Sequence, residues 1–285
     1  MVDRVVVTGA AGTIGRAVVD LLVRRSIDVV ALIRPDEQLD SLATVLAGDC
    51  RDESFVAAAM RDADAVIHLA AIPSPGAHPA AELFENNTVS TFVVLDQAGL
   101  AGVDRALVAS SLSALGFPWS PTATSPQYTP VDTRHPLVPT DPYGLSKVVD
   151  ECTAEMMHRR HGINALLYRF PQVTSQPELE QLATAWAVNP AAGARTLWSY
   201  LETRDAVAAL AAGLECSLAG VHRLMLAAPT TVMSETTTSL MARFHPSTQI
   251  RSPLHGRNTP IDAEPANQML GIRPAHVHPF TGTDP

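Results

Sequence analysis

The stretch that decides the fold is Thr8-Gly9-Ala10-Ala11-Gly12-Thr13-Ile14-Gly15. It follows an apolar, β-branched run, Arg4–Thr8, and opens a helical pattern near Ile14–Arg25. Glycines permit a tight turn and a close approach of a ligand to the backbone, and the free N–H groups at a helix N-terminus favour a pyrophosphate. The succession of strand, glycine-rich turn and helix therefore predicts a dinucleotide-binding unit.

Further apolar runs continue the alternation of strand and helix. Strands are predicted at Asp28–Ile33, Thr44–Ala47, Ala65–Leu69 and Arg105–Ser110, and helices near Asp52–Arg61 and Ala81–Ala101. Because the strands are continuously apolar rather than alternating, they indicate a parallel sheet that helices cover on both faces. The predicted fold class is therefore α/β, a doubly wound parallel sheet of the Rossmann type, with a small C-terminal substrate-binding subdomain.

Two proline-rich stretches interrupt this pattern, and each contains seven prolines. Phe117–Pro142 is predicted to be a long loop, and His245–Pro285 an irregular cap. The elements predicted between them are a helix over Pro142–Arg160, a strand over Asn164–Tyr168, a helix over Arg204–Glu215 and a strand over Val221–Ala227.

These elements suggest a division of the chain into two units. We expect a dinucleotide-binding domain over residues 1–170, to which residues 198–228 return. Residues 171–197 and 229–285 are expected to form the small substrate-binding subdomain.

Composition limits the class of protein. The 285 residues contain 20 Lys+Arg against 29 Asp+Glu, a net charge of −9, which argues against nucleic acid or an anionic membrane as a partner. The three cysteines, Cys50, Cys152 and Cys216, form no CxxC pair and predict neither a disulfide framework nor a four-cysteine zinc site. The sequence has no apolar run of membrane-spanning length and no signal-peptide pattern at its start, so we expect a cytoplasmic protein.

The end of the second strand bears on the choice of cofactor. An acidic side chain there accepts a hydrogen bond from a ribose 2′-hydroxyl, whereas an arginine suits a 2′-phosphate. Ile33 occupies the expected acidic position and Arg34 follows, which favours NADP. The alternative is that Arg34 is a solvated surface charge and that Asp36 serves NAD.

Tyr143 and Lys147 lie at i and i+4 of the predicted helix, on one face. A free tyrosine has a pKa near ~10, and a cation one helical turn away favours the phenolate. The pair therefore suits acid–base chemistry between a hydroxyl and a carbonyl. Ser110-Ser111 closes the fifth strand at the carboxyl edge of the sheet, where such folds bind ligands.

Several motifs, in chain order, together resemble the extended short-chain dehydrogenase/reductase family, also called the NAD-dependent epimerase/dehydratase family. The matching segments are Thr8 to Gly15 (TGxxGxxG), Gly48-Asp49, His68-Leu69-Ala70-Ala71 (HLAA), Asn87, Ala109-Ser110-Ser111 (SSxxxxG), Pro142 to Lys147 (PYGxSK), Trp198 to Asp205 (YVDVxD) and Met269 to Pro274 (LGWxP). The resemblance covers nearly the whole chain.

The resemblance implies a role for individual residues. Tyr143 would be the acid/base, Lys147 would hold the nicotinamide ribose and stabilise the phenolate, and Ser111 would orient the substrate oxygen. The implied cofactor contacts are Gly9, Gly12, Thr13, Ile14, Gly15, Arg34, Asp49, Cys50, Leu69, Ala70, Ala71, Asn87, Tyr143 and Lys147.

The sequence departs from the family pattern in the substrate half. Leu112-Ser113 replaces the Asp-Glu pair of the dehydratases, which argues against sugar dehydration. Gln172 lies where nucleotide-sugar enzymes carry an Asn, and Trp198 lies where they carry an Arg that contacts the diphosphate. Ser111, Ser113, Gln172 and Trp198 are therefore the predicted substrate contacts, and the substrate is expected to be smaller or less anionic than a nucleotide sugar.

The favoured function is an NAD(P)-dependent oxidoreductase that interconverts a secondary alcohol and a ketone on a small polar or sugar-like metabolite. NADP is the favoured cofactor and NAD the alternative, and no metal site is predicted. The alternative functions are a nucleotide-sugar 4-epimerase and a catalytically silent NADP-binding regulator. The helices near Ala81–Ala101 and Pro142–Arg160 are expected to pair across a two-fold axis, as they do in the family, which predicts a homodimer.

Overall fold

The computed structural model describes residues 2–122, 124–217 and 219–279, and its centre is a seven-stranded parallel sheet in the order β3-β2-β1-β4-β5-β7-β10. Its strands are β1 (Arg4–Thr8), β2 (Asp28–Ile33), β3 (Thr44–Ala47), β4 (Ala65–His68), β5 (Arg105–Ser111), β7 (Asn164–Phe170) and β10 (Val221–Met225). The predicted doubly wound parallel sheet is confirmed. The strand order reverses beside β1, which is where folds of this kind bind ligands.

Nine α-helices accompany the strands in the described residues. They are α1 (Thr13–Arg24), α2 (Glu53–Ala59), α3 (Ala80–Leu100), α4 (Pro142–His161), α5 (Gln176–Val188), α6 (Pro190–Ala194), α7 (Thr203–Glu215), α8 (Thr237–Phe244) and α9 (Glu264–Leu270). None of the helices in the described ranges is both long and apolar enough to cross a bilayer.

The sheet is covered on both faces because successive side chains of each strand point in opposite directions. Val5 and Val7 of β1 pack with α1 and α7 in one apolar cluster, whereas Val6 packs with α2, α3 and α4 in another. The same division holds along β4, where Ile67 belongs to the first cluster and Val66 to the second. The continuously apolar strands of the sequence reflect this double burial.

A third apolar cluster lies beyond the carboxyl edge of the sheet. It joins residues of α5 and α8 with Phe117 and Val131, which precede the range expected for the substrate-binding subdomain. Two short parallel sheets support this region: β8 (Gln172–Thr174) pairs with β9 (Tyr200–Glu202), and β6 (Tyr128–Thr129) pairs with β11 (Gln249–Ile250). The long loop over Phe117–Pro142 therefore packs with the C-terminal half of the chain.

Two regions contain more regular structure than the sequence predicts. Helix α5 lies in the segment left without a predicted element, and α9 and β11 lie in the region predicted as an irregular cap. The cap prediction is wrong for Gln249–Ile250 and Glu264–Leu270, and its last residues, 280–285, lie outside the described ranges.

Candidate active site

A cavity of about 850 Å³ opens at the carboxyl edge of the sheet, between the glycine-rich turn and the third apolar cluster. It brings together most of the residues that the sequence singles out. These are Gly9, Gly12, Thr13, Ile14, Gly15, Leu69, Ala71, Ser111, Ser113, Tyr143, Lys147 and Gln172.

The glycine-rich turn leaves the N-terminus of α1 open to this cavity. Gly9 has a left-handed backbone, φ +64°, and a Cβ there would lie 2.7 Å from the amide nitrogen of Ala70. Gly12 caps α1 without a side-chain hydrogen bond, and the first turn carries no acidic residue. Free N–H groups and the positive end of the helix dipole therefore face a space that suits a pyrophosphate.

The segment after β4 forms the neighbouring wall of the cavity. The hydroxyl of Thr8 accepts hydrogen bonds from the amides of Leu69 and Ala70, each at 3.2 Å. Asn87 on α3 is fully buried, and its side chain binds both the amide and the carbonyl of Ile72. Thr8 and Asn87 thus fix the two ends of the segment Leu69–Ile72 by hydrogen bonds. Asn87 itself does not line the cavity.

Helix α4 carries Tyr143 and Lys147 into the cavity from its first two turns. Asp141 caps the helix by accepting a hydrogen bond from the Gly144 amide at 2.8 Å, and Pro142 occupies the first turn, where its missing N–H costs nothing. The ammonium of Lys147 lies 5.8 Å from the centroid of the Tyr143 ring. This geometry places a positive charge beside the Tyr143 ring.

Ser110 and Ser111 occupy different environments at the end of β5. The buried Ser110 hydroxyl donates to Glu151 Oε1 at 2.7 Å, so its proton is committed to the core. The Ser111 hydroxyl lies in the cavity wall, accepts a hydrogen bond from the Ser113 amide at 3.0 Å and lies 3.1 Å from the Ser113 Oγ. Both serines line the cavity, but the Ser110 hydroxyl is bound to Glu151, whereas the Ser111 hydroxyl bonds only to its neighbour Ser113 among the described residues.

A buried ion-pair network supports α4 behind the cavity. Glu151 binds Arg169 through two hydrogen bonds of 2.8 Å and also accepts one from Arg223 at 2.8 Å. Burial would raise the pKa of the Glu151 carboxyl, but the contacts with Arg169, Ser110 and Arg223 more than offset this effect and hold the pKa below its ordinary value.

Five predicted cofactor contacts lie outside the cavity lining: Ala70 and Asn87 at the segment after β4, and Arg34, Asp49 and Cys50 at the ends of β2 and β3. The exposed Arg34 guanidinium, at the end of β2, pairs with Asp36 and Glu37, each at 3.2 Å. Asp49 pairs with Arg51 at 2.7 Å, which lowers the pKa of its carboxyl. The Cys50 thiol is largely enclosed, and burial raises its pKa to about 12, so it is not a nucleophile at neutral pH.

Trp198 does not lie in the cavity, contrary to the sequence-based expectation of a substrate contact. It is fully buried, its indole N–H donates to the Pro190 carbonyl at 2.8 Å, and its ring packs against Phe244. The backbone at Trp198 is left-handed, φ +51°, and this turn directs the indole into the third apolar cluster.

The sequence analysis missed the far wall of the cavity. Trp119, Trp186, Arg195 and Thr196 lie there. Trp119 is 42% exposed, and the guanidinium of Arg195 donates to the Ser120 carbonyl at 2.8 Å. Two signals were available: Trp119 lies within the proline-rich loop Phe117–Pro142, and long loops inside compact domains are often functional. The other three residues lie within residues 171–197, which are expected to form part of the substrate-binding subdomain.

Comparison with known proteins places this geometry in a family. A family model described as the NAD dependent epimerase/dehydratase family matches residues 5–214. An L-arabinose 1-dehydrogenase (NAD(P)(+)) of Haloferax volcanii is 33% identical over 184 residues, which is 62% of this chain and 70% of that protein. A putative UDP-glucose 4-epimerase of Methanocaldococcus jannaschii is 30% identical over 176 residues, 59% of this chain but only 55% of that protein.

The solved structures agree with the fold. A short-chain dehydrogenase/reductase superfamily protein from Agrobacterium tumefaciens with bound NAD superposes with a TM-score of 0.71, at 22% identity over 96% of this chain and 93% of that one. The matched region runs from β1 to α7 and so includes the glycine-rich turn, Ser111, Tyr143 and Lys147. The chain therefore belongs to the NAD-dependent epimerase/dehydratase family.

Proposed function

We propose that the protein is an NAD(P)-dependent oxidoreductase that interconverts a secondary alcohol and a ketone on a small polar or sugar-like metabolite. The observation that carries this proposal is the convergence of Ser111, Tyr143 and Lys147 with the glycine-rich turn in one cavity. Residues 171–197 and 229–279, with the loop after β5, would form the substrate-binding side.

The residues present fit a dinucleotide. Gly9 lets the turn pack directly against the backbone of Leu69 and Ala70, which a Cβ would prevent, and the first turn of α1 beside it offers uncapped N–H groups to a pyrophosphate. A bound nicotinamide dinucleotide would supply the hydride acceptor or donor. Leu69 and Ala71 would line its site, and Lys147 would hold its ribose.

Residues of this chain would transfer the proton of the substrate hydroxyl and orient the substrate oxygen. In the oxidative direction the Tyr143 oxygen takes the proton of the substrate hydroxyl, and in the reductive direction it returns that proton. Lys147 stabilises the phenolate, and the Ser111 hydroxyl donates to the substrate oxygen. A silent regulator would have no need of this set in an open cavity.

The size and the wall of the cavity favour a small substrate. A single drug-sized ligand already occupies a pocket of roughly 300–1,000 Å³, and here about 850 Å³ must hold the pyrophosphate and nicotinamide part of a dinucleotide as well as a substrate. Trp119 and Trp186 offer aromatic faces to a sugar ring, and Arg195 offers a guanidinium to one acidic or hydroxyl-bearing group.

A hydride-transfer assay tests the proposal. The purified protein is mixed with NADP or NAD and a panel of monosaccharides, sugar acids and simple secondary alcohols, and the absorbance of the reduced nicotinamide is followed. We expect turnover of at least one free monosaccharide or sugar acid. Cofactor binding without turnover of any alcohol or ketone would favour the regulator.

The nucleotide-sugar 4-epimerase remains the alternative because the Methanocaldococcus jannaschii relative carries that name. Calorimetry with UDP and dTDP on the cofactor-loaded protein separates the two. Arg195 is the single arginine that lines the cavity among the residues the structure describes, so we expect neither nucleotide to bind in the micromolar range. Micromolar binding that competes with substrate would replace the small-metabolite proposal with the epimerase.

NADP is the preferred cofactor in this proposal. The Arg34 guanidinium is exposed at the end of β2 and can exchange its partners, Asp36 and Glu37, for a 2′-phosphate. The carboxylates of Asp36 and Glu37 would repel a 2′-phosphate. Among these three side chains, Arg34 alone would therefore favour NADP over NAD.

The homodimer is also a proposal. Helices α3 and α4 pack side by side and expose the apolar side chains Val89, Phe92 and Leu145. Exposed apolar side chains on neighbouring helices suit a contact with a second copy of the chain. Light scattering should give a dimer mass that Phe92→Asp reduces to that of a monomer.

A further inference from the structure

A buried ion pair joins Lys147 to Asp150, one turn further along α4. The Lys147 ammonium lies 3.1 Å from Asp150 Oδ2 and donates a second hydrogen bond to the Ala109 carbonyl at 3.0 Å. Lys147 is 3% exposed and Asp150 is 1% exposed. Asp150 is not part of the cavity lining, so any effect that it has on the cavity is exerted through its contact with Lys147.

Stability alone does not account for this aspartate. Its second oxygen, Oδ1, is buried without a hydrogen-bond partner at normal geometry among the described residues. A buried ion pair offsets the cost of desolvation only when its remaining polar atoms are also satisfied, and an apolar pair of similar volume is often at least as stable. The contact of this carboxylate with Lys147 therefore points to a role beyond stability.

The other charged groups around Lys147 already have partners. Glu151, also on α4, is held by Arg169 of β7 and Arg223 of β10. His68 of β4 shares hydrogen bonds with Thr8 and with Thr91 of α3, and burial lowers its pKa to about 3, so it is neutral at physiological pH.

The carboxylate of Asp150 is therefore the direct counter-charge of Lys147. Burial raises the pKa of the Asp150 carboxyl, and the charge of Lys147, followed by the facing Thr91 hydroxyl, only partly offsets this effect by favouring the carboxylate. From β5, only the Ala109 carbonyl reaches the Lys147 ammonium. Tyr143, on the cavity side, is the remaining titratable neighbour.

We propose that Asp150 is a positioning residue that keeps Lys147 charged and fixed beside Tyr143. The inference rests on the proposed function, because Lys147 matters to the reaction only if Tyr143 is the acid/base. Asp150 would act without touching substrate or cofactor.

The electrostatics agree with the geometry. Burial alone would lower the pKa of Lys147, but Asp150, Tyr143 and the nearby Glu151 more than offset burial and raise it. Removal of the Asp150 charge would leave burial as the dominant influence, and Lys147 would lose its proton at a lower pH.

A feature of the sequence makes the protonation of Lys147 directly measurable. Lys147 is the only lysine among the 285 residues. Protein labelled with isotopes on lysine therefore gives one side-chain ε-carbon signal in a magnetic resonance spectrum, and its chemical shift follows the protonation of Lys147 without any substrate.

The first measurement uses the wild-type protein. We expect the Lys147 signal to remain that of an ammonium up to about pH 10, where an ordinary lysine has lost about a quarter of its protons. Deprotonation of wild-type Lys147 at or below the ordinary midpoint would overturn the proposal, and this outcome needs no variant to fold.

The second measurement compares Asp150→Asn with the control Glu155→Gln. Glu155 lies on the same helix and pairs with Arg223 at 2.6 Å, so the control removes an equal charge farther from Lys147. We expect the Lys147 midpoint to fall by about one pH unit or more in Asp150→Asn and to stay unchanged in the control. Equal midpoints in wild type and Asp150→Asn would refute the proposal.

Activity provides a separate readout. The alkaline decline of kcat in Asp150→Asn should move to lower pH together with the Lys147 midpoint, while activity near neutral pH is retained within a few-fold. An equal loss at every pH would indicate a purely structural Asp150 and would overturn the proposal. A shifted Lys147 midpoint in a protein that transfers no hydride would refute the proposed function instead.

Discussion

Gly9 lies so close to Ala70 that a Cβ on Gly9 would come within 2.7 Å of the Ala70 amide nitrogen. The first turn after β1 and the segment after β4 are thus in backbone contact at the point where a dinucleotide would cross the sheet edge. This contact, as much as the positive φ of Gly9, requires a glycine at this position.

Gly9→Ala should therefore abolish measurable cofactor binding. The left-handed backbone alone would cost about 1–2 kcal/mol with an alanine, and the methyl group would also push Leu69–Ala71 away from the turn. Gly102→Ala is a matched control, because Gly102 has φ +81° but a Cβ there would meet nothing within 4 Å. Calorimetric titration of both variants with NADP and NAD measures the difference, and normal binding by Gly9→Ala would contradict the proposed cofactor site.

Tyr143→Phe should remove turnover and spare cofactor binding. The phenol acts on the reacting proton, whereas the glycine-rich turn binds the pyrophosphate, and loss of a positioned acid/base costs about 10²–10⁴-fold in rate. Tyr168→Phe serves as the control, since it removes a buried hydroxyl that binds only the Ala209 carbonyl. A folded Tyr143→Phe protein with near-normal kcat would show that another group handles the proton.

Arg34→Ala should weaken NADP binding by about tenfold or more and leave NAD binding nearly unchanged, because a hydrogen bond to a charged group contributes about 1.5–3 kcal/mol. Arg243→Ala, which removes an exposed arginine paired with Glu235, is the control. Dissociation constants for both cofactors are measured by fluorescence of the reduced forms. If wild-type protein binds NAD as tightly as NADP, Asp36 and Glu37 rather than Arg34 decide the choice.

Glu151→Gln should destabilise the protein by about 3–5 kcal/mol at neutral pH, because it leaves Arg169 buried without its counter-charge. The folded pKa of Glu151 lies below the unfolded value of about 4.3, so its contribution is fully present above that pH and is lost as the pH falls through the folded pKa.

Urea denaturation at neutral pH and at progressively lower pH measures both effects. The difference in unfolding free energy between wild type and Glu151→Gln should shrink as the solution becomes more acidic. Glu155→Gln, whose carboxylate is more exposed, should cost less than about 1 kcal/mol. A difference that stays constant at acidic pH would mean that the Glu151 charge does not contribute to folding.

Much of the dinucleotide-binding half could be predicted from the sequence because its strands are buried on both faces. Val5 to Val7 form an uninterrupted apolar run, and the structure places alternate members in two different clusters. Tyr143 and Lys147 were predicted to share a helix face, and α4 brings both to the cavity.

The substrate half was harder to predict because its elements are short and contain prolines. Pro177 in α5 and Pro265 in α9 suggest loops, yet both lie in the first turn of a helix, where no N–H is needed. The motif position of Trp198 predicts a substrate contact, but the left-handed backbone at this residue directs its side chain into the core. Arg195, three residues earlier, reaches the cavity instead.

The single lysine has a practical consequence for handling the molecule. Lys147 is the only lysine of the sequence and is 3% exposed at the cavity wall, so an amine-reactive reagent reaches it only slowly. The rate of acylation at this one position, measured by mass spectrometry, therefore reports how often the Lys147 amine becomes accessible, through the cavity or by local opening of α4. Tight cofactor binding would slow this acylation in proportion to the fraction of protein that is bound.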